Sequence, residues 1–332
     1  MFDDAKSSYI AAGIHTIVCS ENIWERLWDG LKKALLLLLG LVFAALIAGC
    51  GQSNNATEGT SGPDTAAGGT ASGTLAEAKE RGYITVGFAN EKPYAYKTAD
   101  GELTGEAVEI ARVILANLGI EEMRGELTEF GSLIGGLQAK RFDLITAGMF
   151  INPNRCAAVL FADPEYSIGE AIAVKKGNPL NLSSYAGIAQ NKDVKVAVMT
   201  GAVEIGYLED SGVPKEQIVQ VPDQASAISA LQADRVQVIT MTGPALQAML
   251  DSANDADIER VAEFEQPVIG GKSVRGYGAT AFRQADAAFR QAYNAELQKL
   301  KDSGELLTIL QQFGFTEQEL PGDVTAVELC KE

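Results

Sequence analysis

The segment Gly148-Met149-Phe150-Ile151-Asn152-Pro153-Asn154-Arg155-Cys156 has the residue types of an anion grip. Pro153 suits the first turn of a helix, and Asn152 is a good cap for it. Backbone N–H groups left free at such a terminus, with the guanidinium fork of Arg155 beside them, make a carboxylate site. The plain alternative is a surface arginine beside a capped loop. Tyr94, Phe130 and Phe150 fall at the ends of runs that read as strands, and Glu91 lies just before Tyr94. Aromatic faces hold a delocalised or alkylated cation at about 0.5–2 kcal/mol each, and a carboxylate accepts its N–H groups. Core packing of the rings and a solvated loop position for Glu91 are the competing readings. Thr200, Gly201, Ala202 and Val203 open a second predicted helix, whose N–H groups and Thr200 hydroxyl would close on the same carboxylate. Ordinary capping is the alternative there. Thr242 is a weaker candidate. Together these residues describe a pocket for a small zwitterion.

Other chemistries lack their parts. The only histidine is His15, which precedes Cys50. Beyond Cys50, therefore, neither Ser–His or Cys–His catalysis nor histidine-ligated metal is available. No cofactor is expected. A net charge of −17 argues against nucleic acid, whose phosphates it would repel.

The N-terminal region reads as an export signal. Lys32 and Lys33 precede a leucine-rich run that ends in Leu46-Ile47-Ala48-Gly49-Cys50. The run is too short for a comfortable membrane span and has the order of a secretory leader. Its end resembles the bacterial lipobox, which implies cleavage before Cys50 and a lipid on that thiol. Residues 1–49 are thus the expected leader, with 1–30 suggesting a misplaced translation start. Residues 50–74 are rich in Gly, Ser, Thr, Ala and Asn and read as a tether. In an exported chain Cys156 and Cys330 are candidates for a disulfide; two free thiols are the alternative.

The elements that must position the site alternate between short β-rich runs and amphipathic helices. A strand at 83–88, a helix at 106–118 stopped by Gly119, a strand at 124–130, a helix at 132–139 and a strand at 142–147 give a βαβαβ unit. A second set runs through strands at 194–199, 217–221 and 236–241, with helices between and after them. The stretches 170–175 and 273–282 are long enough to cross between the sets, and the helices at 284–301 and 305–313 would return to the first. The expected fold is α/β: two Rossmann-like lobes, 75–173 with 275–332 and 174–274, joined by a two-strand hinge. The cleft would lie at the strand C-termini, and a ligand there would favour lobe closure.

Residues 82–315 resemble a type II periplasmic solute-binding protein of an ABC importer, family 3-like. Gly87-Phe88-Ala89-Asn90-Glu91-Lys92-Pro93-Tyr94, Asp100-Gly101 with Gly105-Glu106-Ala107-Val108-Glu109-Ile110-Ala111, and Asp163-Pro164-Glu165-Tyr166 carry the likeness in order and spacing. Amino-acid binders of this family usually hold the α-ammonium with an aspartate near the end of the strand at 236–241. Here Thr240-Met241-Thr242-Gly243 offers no acid, so the resemblance implies a carboxylate ligand with a different cation. The Glu-Lys-Pro-Tyr loop, Phe150 to Cys156 and the terminal Glu328-Leu329-Cys330 resemble the ectoine- and hydroxyectoine-binding branch. That branch implies a cyclic amidinium carboxylate as ligand, Glu91, Tyr94, Phe130, Phe150, Asn152, Arg155, Thr200, Gly201, Val203 and Thr242 as its contacts, a membrane permease as partner and a monomeric protein. A polar amino-acid binder and a cyclohexadienyl dehydratase-like enzyme are the alternatives.

Overall fold

The structure, a computed structural model, describes residues 73–331. The leader, the start position, Cys50 and the tether up to residue 72 lie outside the described residues. Residue 74 does not belong to a tether. It opens the helix Thr74–Arg81, where its hydroxyl donates to Asp286 at 2.7 Å and accepts from Arg283 at 2.7 Å.

The first sheet has the order Glu122–Leu127, Tyr83–Phe88, Leu144–Ile145, Ala281–Phe282, Leu160–Phe161. Tyr83–Phe88 is β-branched and aromatic, as a central strand requires, and pairs in parallel on both sides. Helix Glu106–Asn117 buries Val108, Ile110, Ala111, Ile114 and Leu115. It stops at Gly119, whose φ of +84° suits a residue without a Cβ. Helix Ala287–Ser303 packs back against it.

Two strands are shorter than their patterns suggest. The run 142–147 keeps only Leu144–Ile145 in the sheet. The strand expected at 124–130 is Glu122–Leu127, because Thr128 already turns its N–H to the Phe88 carbonyl. Phe130 therefore does not end a strand; it opens the 3₁₀ turn Phe130–Ser132.

The second sheet has the order Ile218–Val221, Val196–Met199, Val238–Thr242, Glu170–Lys175, Ile258–Arg260. The stretch 170–175 is not a crossover. It pairs on both edges within this sheet, because a run as apolar as Ala171-Ile172-Ala173-Val174 has two faces to bury. The lobes are joined just before it, where Tyr166–Ile168 and Gly276–Gly278 form an antiparallel ladder. Glycine is required on that ladder: a Cβ at Gly278 would sit 2.2 Å from the Tyr166 ring. The fold is thus the two-lobed, two-sheet type II architecture, with each lobe an α/β layer structure.

Cys156 and Cys330 are bonded, tying the turn after Arg155 to the C-terminal helix Ala326–Leu329. No helix among the described residues is long and apolar enough to cross a membrane.

Candidate functional site

Glu91, Tyr94, Phe130, Phe150, Arg155, Val203 and Thr242 line one small space between the lobes, of about 30 Å³. Loops of the first lobe supply the first five, and the second lobe supplies the other two. Their positions follow from local structure. Asn152 caps the turn Pro153–Cys156 by accepting from the Arg155 N–H at 2.9 Å. That cap fixes the backbone from which the Arg155 side chain projects into the cleft. Gly148, at φ +61°, lets the Tyr94 ring lie flat on the backbone; a Cβ there would be 2.5 Å from the ring. Phe150 packs over Gly276 of the hinge ladder and bridges to Gly278.

Contacts across the cleft hold the lobes together. Arg155 donates through Nη1 to the Phe150 carbonyl at 2.7 Å and through Nη2 to the Gly201 carbonyl of the other lobe at 3.0 Å. Its guanidinium stands 5.4 Å from the centre of the Phe130 ring. The Tyr94 and Thr242 hydroxyls share a hydrogen at 2.5 Å. Gln224 reaches the Lys92 carbonyl at 3.2 Å. Gly131 and Gly201 meet backbone to backbone, and a Cβ on Gly201 would come within 2.6 Å of the Gly131 Cα.

Not every expected contact is in this space. Asn152 acts as the cap and does not line it. Thr200 is exposed, and both its N–H and its hydroxyl go to the Val221 carbonyl, so its hydroxyl is not turned to a cleft ligand. Gly201 takes part through its carbonyl, as an acceptor for Arg155.

The sequence pattern missed an acid. Glu204 follows Val203, lines the same space and is only 5 % exposed. Its signal was position alone, one residue beyond a loop already singled out. The cleft therefore has two buried carboxyls, where Glu91 was expected to stand alone. Burial, and after it the charge of Glu204, push the Glu91 carboxyl up to about 8, with Arg155 opposing both. Burial draws Arg155 down to about 10, against the pull of Glu204. Glu170, at the start of the neighbouring strand, is a further buried acid. Chemically the space joins one guanidinium fork, three aromatic rings and two acids. Among the described residues no trio of His, Cys, Asp or Glu is placed to hold a metal.

Residues 84–317 match the family of bacterial extracellular solute-binding proteins, family 3. The chain belongs to that family. This family 3 protein is thus a solute-binding component of an ABC importer. Among its relatives is a probable amino-acid ABC transporter periplasmic-binding protein, y4tE, of Sinorhizobium fredii (strain NBRC 101917 / NGR234). It is 39% identical over 262 residues, which are 77% of this chain and 86% of the relative. The solved structure of EhuB in complex with hydroxyectoine is 38% identical, covers 77% of this chain and 97% of that one, and superposes with a TM-score of 0.71. The ancestral amino acid-binding protein AncCDT-1, a precursor of cyclohexadienyl dehydratase, is 25% identical, covers 73% of this chain and 99% of that one, and has a TM-score of 0.63.

Proposed function

We propose that this protein captures ectoine or hydroxyectoine outside the cell and delivers it to the permease of its importer. One observation carries the reading: a guanidinium, three ring faces and two buried carboxyls converge on one space shared by both lobes. The solute carboxylate takes the Arg155 fork in place of the Phe150 and Gly201 carbonyls. The amidinium lies against the faces of Tyr94, Phe130 and Phe150 and points its N–H groups at Glu91 and Glu204. Each buried charge then has a partner, which is what burial of charge demands. A space of about 30 Å³ admits little more than one water. Solute therefore enters by lobe opening and is enclosed on closure. The likeness to EhuB supports the ligand class. In the same proposal the chain works as a monomer without cofactor or catalysis, anchored by a lipid on Cys50 through the tether that follows.

A second reading, a polar amino acid, is favoured by Glu204. It gives the cleft an acid across from Arg155 that an α-ammonium can use. Calorimetric titration of the lipid-free protein with ectoine, hydroxyectoine, proline betaine, glutamine and arginine separates the two. Micromolar or tighter binding of ectoine or hydroxyectoine alone supports the proposal. Binding of glutamine or arginine alone overturns it and keeps Arg155 as the carboxylate grip.

A further inference from the structure

On one flank of the cleft the lobes face each other across an open groove of about 980 Å³, with Lys92 and Tyr96 on one wall and Gln224 and Ile228 on the other. Gln224 is the first residue of helix Gln224–Gln232. Asp223 caps that helix by accepting from the Ser226 N–H at 2.7 Å, which fixes the backbone that carries Gln224. The Gln224 side chain is half-buried, and its Nε2 meets three acceptors. On its own lobe it donates to the Ala245 carbonyl at 3.3 Å and stands 3.9 Å from the Met241 sulfur. Across the gap it donates to the Lys92 carbonyl at 3.2 Å. Because all three neighbours are acceptors, the nitrogen of the amide is the end that must face them.

The Lys92 carbonyl is open to this contact because its neighbours are taken. The Glu91 carbonyl accepts from the Tyr94 and Ala95 N–H groups, the Pro93 carbonyl from Glu106 at 3.0 Å and the Tyr94 carbonyl from Ala107 at 3.1 Å. Among the described residues Gln224 alone donates to the carbonyl of Lys92. Lys92 stands between Glu91 and Tyr94 in the chain, and both of those line the solute space.

The hydrogen bonds from Arg155 to Gly201 and between Tyr94 and Thr242 also cross the cleft, but through groups that line the solute space. A space of about 30 Å³ cannot take a solute while all of them keep their places. Neither Gln224 nor Lys92 lines that space, so their bond need not yield when solute enters.

We propose that Gln224 is a closure latch: a positioning residue that holds the Glu91–Tyr94 loop against the second lobe and slows solute escape without touching the solute. The inference rests on capture by lobe closure and not on which solute is captured. A contact made only in the closed state shifts the population toward that state, and it lengthens residence rather than speeding arrival.

The test is stopped-flow binding of ectoine to wild type, Gln224→Met and Gln224→Lys. Methionine keeps the reach of the side chain but has no donor, so the dissociation rate should rise roughly three- to tenfold while the association rate stays within about twofold. Lysine still offers an N–H donor, and its dissociation rate should stay within about threefold of wild type. An unchanged dissociation rate in Gln224→Met overturns the inference. So does a loss carried by the association rate, or a rise in Gln224→Lys as large as that in Gln224→Met. Wild type that ignores ectoine refutes the ligand reading instead, and the latch is then decided without solute. Paramagnetic relaxation from a spin label on one lobe to the amides of the other registers a closed minority. A smaller closed population in Gln224→Met than in wild type supports the latch, and equal populations overturn it.

Discussion

Solute capture should release a proton from Glu91. Burial and the nearby Glu204 hold this carboxyl at about 8 in the closed cleft. At pH 7 a group with that value is about nine-tenths protonated. An amidinium cannot be received by a neutral acid as well as by a carboxylate, so its arrival drives ionisation. Binding at pH 7 then expels about 0.9 proton per solute, and affinity strengthens as pH rises. Each unit below pH 8 costs about 1.4 kcal/mol, or tenfold. The dissociation constant at pH 6 is thus about a hundredfold weaker than above pH 8. Calorimetry at pH 7 in phosphate and in Tris reads the proton count, because the two buffers differ in their heat of protonation. The observed enthalpies should differ by about 0.9 of that difference. Glu91→Gln should abolish the difference. Equal heats in both buffers, with a dissociation constant flat between pH 6 and 8, would refute the argument.

Arg155→Ala strips a buried carboxylate of its counter-charge and costs about 3–5 kcal/mol of binding; calorimetry should find no heat at micromolar solute, and near-normal affinity would move the carboxylate elsewhere. Phe150→Ala removes a ring that lies between the cleft and Gly276, weakening binding by about 1–3 kcal/mol, and an unchanged dissociation constant would return Phe150 to the core. Gly201→Ala puts a Cβ 2.6 Å from the Gly131 Cα at a residue with φ of +80°. It should keep the lobes apart with each still folded, seen as a larger radius of gyration with solute in small-angle scattering and a melting temperature near wild type. Glu165, fully buried and held at about 7 against an ordinary 4.5, retains a proton that the unfolded chain has lost. Stability should therefore fall as pH rises from 4.5 to 7, on the order of 3 kcal/mol. Urea unfolding of Glu165→Gln should show a shallower fall, and an identical one would exclude Glu165 as its source.

Helices and central strands were legible in the sequence because burial imposes periods of 3.6 and 2 on them. Glu106–Asn117 and Tyr83–Phe88 fall within a residue of their patterns. The lobe connection was half legible: the stretch 273–282 does hold the hinge strand Gly276–Gly278, but 170–175 does not cross. Glu170–Lys175 and Tyr166–Ile168 are both extended and apolar, and only pairing partners distinguish a sheet member from a hinge. Arg155 could be found because proline and asparagine at their spacing announce a capped turn. Phe130 was placed at a strand end because an aromatic residue after an extended run carries no mark of a 3₁₀ turn. Glu204 and Glu170 stayed hidden for a different reason. An acid at a helix start or a strand edge is ordinarily solvated, and nothing local tells that the opposite lobe will close over it. Thr200 shows the reverse: a residue type suited to ligands whose hydroxyl is already taken by Val221.

The bond between Cys156 and Cys330 has a topological meaning as well as an energetic one. It closes a covalent ring of chain that contains the whole second sheet and both hinge strands. A protease that cuts one peptide bond anywhere in residues 157–329 thus opens the ring without dividing the molecule. Both fragments stay attached, with the cleft residues of the two lobes still on one particle. For a protein of an extracellular family, a single nick is then damage but not dismemberment.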